Sequence, residues 1–148
     1  MSEIVLHLEH SIEADVSADF AWQFRTDVAN WYDPPATFLL DGPFQTGSRG
    51  TTLLPGQPPL HWQIKDVMPC ESFSQEMELD RATLVFEWRF AALDGNRTRL
   101  TQRILLSGES AQTYAPQVEA GFGPTLADGM KRIAAEMAVA QSESHGNR

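Results

Sequence analysis

Between residues 4 and 12, Ile4, Leu6, Leu8 and Ile12 alternate with Val5, His7, Glu9 and Ser11, the two-residue period of a strand with one apolar face. His10 falls on that apolar face. Ser17 then stands as an N-cap before residues 18–25, which hold good helix formers and Asp19 in the first turn, so a short helix is predicted there. Residues 28–32 predict a second brief helical turn, stopped by Asp33-Pro34-Pro35 because two prolines withhold their backbone donors. Six extended segments follow, at 36–41, 50–54, 60–68, 72–79, 82–93 and 97–107, separated by turn chemistry that makes neighbours antiparallel. Asp94-Gly95-Asn96 is the strongest hairpin signal, with Gly95 expected to supply a positive φ. Past Gly108, residues 115–120 predict one or two helical turns, Gly121-Phe122-Gly123-Pro124 a break, and 125–140 a helix. The buried stripe of that helix is Leu126, Met130, Ile133, Ala134 and Met137. Residues 142–148 are too polar to offset ordering entropy, so a single domain over 1–141 with a disordered tail is expected.

One antiparallel sheet and a few helices make an α+β layout in which one sheet face must be covered by helix. Alternation assigns the concave face: Leu84, Phe86, Trp88 and Phe90 on one strand, and Thr98, Leu100, Gln102, Ile104 and Leu106 on the last. Phe73, Gln75, Met77 and Leu79, then Leu60, Trp62 and Ile64, complete it. These side chains either fill a dry core or line a pocket, and the clustering of aromatics with a few polar groups favours the pocket. Met77 and Met130 add side chains that adapt to varied shapes. His10, Gln75 and Gln102 are polar on this face, and each would cost about 1–3 kcal/mol if buried without a partner. They bond to one another, to backbone or to buried water, or they meet the polar end of a ligand. Glu76, Glu78, Glu87, Arg89, Arg99 and Arg103 count to the outer face, where opposite charges pair across strands.

Composition narrows the function. With 11 basic and 20 acidic residues among 148, the net charge of −9 repels a phosphate backbone, which argues against nucleic-acid binding. Cys70 is the single cysteine, so no internal disulfide is available, and its turn setting after Pro69 offers nothing to activate the thiol. The acidic, alternating N-terminus is unlike a secretory signal and no stretch is long and apolar enough to span a bilayer, so a cytoplasmic location is expected. His7 and His61 alternate outward and His145 lies in the tail, so no metal site is expected, nor any cofactor. Gly47-Ser48-Arg49-Gly50 lacks the lysine and the strand-to-helix setting of a phosphate loop and is a turn.

Several marks resemble one family. Ala21-Trp22, then Thr26-Asp27 and Trp31, are similar to the Val-Trp, Thr-Asp and Trp marks of the START-like, helix-grip superfamily, the SRPBCC group that includes polyketide cyclase/dehydrase and lipid-transport proteins. Leu40-Asp41-Gly42-Pro43-Phe44 through Gly50, and Arg97 to Gly108, add to the resemblance, although Ala14-Asp15 stands where the group has Ala-Pro. The resemblance implies a curved seven-stranded antiparallel sheet wrapped around a long C-terminal helix, with two short helices after the first strand. It also implies a cavity between sheet and helix for a small hydrophobic molecule: a lipid, an aromatic or a polyketide-like compound. The expected lining is Trp62, Phe73, Gln75, Met77, Phe86, Trp88, Phe90, Gln102, Ile104, Phe122 and Met130, and whether the break at 121–124 lets the terminal segment move as a lid is left open by the sequence. Alternatives are a cyclase or aromatase using the same cavity, with His10 moving protons, and a regulatory module that binds another protein.

Overall fold

The computed structural model describes residues 3–146, with side chains through residue 144. Seven antiparallel strands lie in the order β1-β7-β6-β5-β4-β3-β2. They are β1 (Ile4–Ala14), β2 (Thr37–Asp41), β3 (Arg49–Leu53), β4 (Leu60–Met68), β5 (Ser72–Leu79), β6 (Ala82–Asp94) and β7 (Arg97–Ser107). Helix α1 (Ala18–Arg25) and a single 3-10 turn (Val28–Asn30) follow β1, while α2 (Ala111–Phe122) and α3 (Leu126–Gly146) close the chain. The sheet wraps around α3 in the helix-grip arrangement, and the strand registers place the expected concave residues in rows. His10 pairs with Gln102, Gln102 with Trp88, and Trp88 with Phe73. The next row runs Leu8, Ile104, Phe86, Gln75 and Ile64. On the convex side Arg103 Nε lies 2.9 Å from Glu9 and Arg89 Nε 2.8 Å from Glu87, a solvated ladder of alternating charge.

Three local features differ from expectation. Gly95 does not take a positive φ. The hairpin instead closes through Asp94, whose Oδ1 accepts the Asn96 amide at 3.0 Å, and a register shift between Ala92 and Asp94 supplies the twist. Helix α2 begins at Ala111, earlier than expected, and carries Pro116 inside it. The missing proline donor costs one helical bond, and burial of Ala111 and Val118 against β6 and β7 side chains offsets the loss. Helix α3 runs on to Gly146, into the segment expected to be a tail, while residues 147–148 lie outside the described residues.

Gln141 explains why α3 extends past the apolar stripe. It is 7% exposed; its Oε1 accepts the Ser17 amide at 3.0 Å and its Nε2 donates to Asn96 Oδ1 at 2.8 Å. Nearby, Thr98 Oγ1 donates to the Val16 carbonyl at 2.9 Å. One glutamine thus ties the helix to both strands at one end of the β1–β7 pair, where Ala14 faces Thr98. Gln141→Ala should lower unfolding stability by about 1–3 kcal/mol in urea, because the Ser17 amide and the Asn96 side chain are left to find other partners. A loss below about 0.5 kcal/mol would mean that water replaces both bonds.

Candidate functional site

The concave face is divided. Under α1, Phe73 meets Trp22 at 6.0 Å and Phe44 at 4.9 Å between ring centroids, and Phe90 meets Trp22 at 5.4 Å, mostly edge to face. That half is packed solid, with Phe73 and Phe90 buried. The other half, between the sheet and α3, holds a cavity of about 320 Å³. Its floor is Met77, Phe86, Trp88, Ile104 and Met130, and Gln75 and Gln102 are the polar residues that line it from the sheet. Exposure rises toward one end, where Tyr32, Asp33, Phe122, Thr125 and Arg132 form the rim and mark the mouth. Phe122 sits edge-on to Phe86 there, 5.2 Å between centroids.

Eight of the side chains expected from the strand pattern and the α2–α3 break line this space: Gln75, Met77, Phe86, Trp88, Gln102, Ile104, Phe122 and Met130. Phe73 and Phe90 sit in the filled half instead, because α1 lowers Trp22 onto that end of β5 and β6. Trp62 lies behind the wall: its ring stacks on Trp31 at 5.5 Å and its Nε1 donates to Thr52 Oγ1 at 2.9 Å. His10 is half-buried on the concave side opposite Gln102 but is not among the residues lining the cavity.

Alternation along strands does not reach the residue with the most distinctive chemistry. Arg25, at the last turn of α1, lies on the cavity wall with its guanidinium carbon 4.8 Å from the ring centre of Trp31 and 4.4 Å from that of Trp88. The placement is built from the helix end. The Thr26 hydroxyl donates to the Trp22 carbonyl, Asn30 Nδ2 to that of Phe24, and Trp31 Nε1 to that of Arg25 itself at 2.7 Å, so the orphan carbonyls of α1 fix the ring that flanks the guanidinium. Although the residue as a whole keeps some exposure, its Nε is fully buried and has no hydrogen-bond partner. Burial pushes Arg25 well below the ordinary arginine value, to about 9; the charge of Glu136 acts to hold it up and that of Arg132 lowers it further. It remains a cation at neutral pH. Arg132 is differently placed: exposed at the rim, it donates to the Tyr32 carbonyl at 3.0 Å and lies 3.4 Å from Glu136. A signal for Arg25 exists in the sequence, since it follows Ala21, the buried residue of α1, by one helical turn.

Other candidates are set apart from this space. Cys70 is exposed in the β4–β5 turn, and desolvation, then a hydrogen bond and charge from Asp19, push its thiol above the ordinary value. Among the described residues no group of three His, Cys, Asp or Glu side chains is placed to hold a metal ion, and no helix is long and apolar enough to cross a membrane.

No protein-family model matches the chain, and no curated protein matches it. Solved structures do. The Zhui aromatase/cyclase of Streptomyces sp. R1128 aligns with a TM-score of 0.69 at 16% identity, over 93% of this chain and 94% of that one. A START superfamily protein of Mycobacterium smegmatis gives 0.69 at 12% identity over 90% and 98%. Norcoclaurine synthase of Thalictrum flavum, in complex with dopamine and hydroxybenzaldehyde, gives 0.63 at 12% over 98% and 88%. At such identities the likeness speaks to the fold, which is START-like.

Proposed function

We propose that this protein binds a small, mainly apolar molecule, of lipid, aromatic or polyketide-like type, between its sheet and α3. One observation carries the reading: half of the concave sheet face is filled by aromatics, while the adjoining half, mainly apolar with a few polar groups, leaves about 320 Å³ that no side chain fills. An empty apolar space of that size costs packing energy, and it falls at the small end of the range of ligand pockets. Similarity in fold to proteins described as an aromatase/cyclase and as a synthase holding dopamine and hydroxybenzaldehyde is in keeping with a flat, ring-bearing occupant. A thermal-shift series of neutral apolar compounds, from fatty alcohols to naphthalenes and flavones, tests it. Stabilisation by at least one class, rising with concentration, is the expected result; no response from any class refutes the reading.

Catalysis in the same cavity is a second reading, favoured by a single observation: the Glu136 carboxylate lies on the wall, where it can exchange a proton with an occupant. Product analysis of a reactive polyketone with and without the protein decides it. A changed product pattern that disappears in Glu136→Gln supports a cyclase, and an unchanged one leaves binding alone.

A further inference from the structure

Arg25 holds a buried donor, its Nε–H, for which the described residues provide no acceptor. Two indole rings flank the guanidinium, and their π-faces meet its charge without accepting its Nε–H. Buried cations are ordinarily paired with a carboxylate, yet among the described residues no carboxylate oxygen lies within 4.0 Å of Arg25. Glu136, whose charge reaches it, is engaged at 3.4 Å by Arg132. Arg25 itself lines the same cavity as Phe86, Trp88 and Gln102. With the rings against it, the guanidinium offers its planar N–H edge, whose geometry suits a planar oxyanion and forms charge-assisted bonds in a site shielded from water.

Resting on the cavity reading above, we propose that the occupant is a flat conjugated molecule bearing a carboxylate or phenolate, whose oxygen Arg25 holds while the ring system lies against Phe86 and Trp88. The two features divide recognition between them: the aromatic floor takes the skeleton, and Arg25 selects its polar end and its orientation.

The test is calorimetric titration of the full chain at pH 7 with 2-naphthoate and with its methyl ester, which share a skeleton and differ in charge. The acid should bind at least about tenfold more tightly than the ester, and in Arg25→Met that ratio should fall below about twofold with ester binding retained. If Arg25→Met does not fold, Arg25→Gln, which keeps a polar side chain without the charge, takes its place with the same expected loss of the acid preference. Ester and acid binding within twofold of each other in the wild-type protein, or an acid preference that survives in Arg25→Met, overturns the assignment to Arg25 and leaves the apolar cavity standing. Failure of both compounds, together with silence from the neutral series, overturns the cavity reading and this inference with it.

Discussion

Gly50→Ala should cost the fold roughly 1–3 kcal/mol, and more if Trp62 is driven from its place. A Cβ built on Gly50 would lie 2.2 Å from Cη2 of Trp62 and 2.3 Å from its Cζ3, far inside contact distance. The backbone cannot retreat, because Gly50 of β3 pairs with Leu40 on one side and Trp62 on the other. The ring cannot turn away cheaply either. Its Nε1 bond to Thr52 is buried, and its stack on Trp31 would be lost with it. Trp31 is in turn a neighbour of Arg25, so the same change should weaken ligand binding from outside the cavity. Urea denaturation checks the stability, with Gly121→Ala as control, since a Cβ there meets nothing within 4 Å. Stability of Gly50→Ala within about 0.5 kcal/mol of wild type would show that the tryptophan moves freely, contrary to this packing.

The opposite sign is expected for Arg25→Met in the ligand-free protein: a gain of about 1–4 kcal/mol. Burying a cation without an ion partner carries a desolvation cost of several kcal/mol, and replacing such a charge by an apolar side chain of similar length is often stabilising. Two ring contacts, each worth about 0.5–2 kcal/mol, offset only part of that cost. The pH dependence identifies the cause. The folded pKa of about 9 lies well below that of an arginine in the unfolded chain, so above about pH 9 the unfolded chain binds more protons and the wild-type fold gains stability as pH rises. Below about pH 9 both states are protonated and the full cost is present. The advantage of Arg25→Met should therefore be greatest at neutral pH and shrink above about 9, measured as the difference between paired denaturation curves. A variant less stable than wild type at pH 7 by more than about 1 kcal/mol would mean that the indole contacts outweigh desolvation.

Much of the architecture was legible because period-two alternation is unambiguous over strands as long as β6 and β7. The bounds of the segments at 60–68, 72–79 and 97–107 coincide with β4, β5 and β7, and their apolar faces point inward. Ends were harder to read. Helix α3 outlasts its apolar stripe because Gln141 finds partners on β7's hairpin and the β1–α1 link, contacts that no local pattern encodes. The division of the concave face was equally hidden: Phe73 and Phe90 carry the same strand signature as Phe86, and only the landing point of Trp22 separates core from cavity wall. Arg25 was concealed for another reason. A basic residue in the last turn of a helix has an ordinary explanation in the helix dipole, and the indoles that enclose it come from a following turn and from a strand far along the chain.

The chain of rings from Trp62 through Trp31 to Arg25 and Trp88 has an optical consequence. Three of the four tryptophans stand at or directly behind one wall of the cavity, while Trp22 is packed apart under α1. Their emission therefore senses whatever occupies the hollow: a conjugated guest stacked on Trp88 would quench it or accept its excitation energy. The protein thus carries its own unlabelled reporter of occupancy.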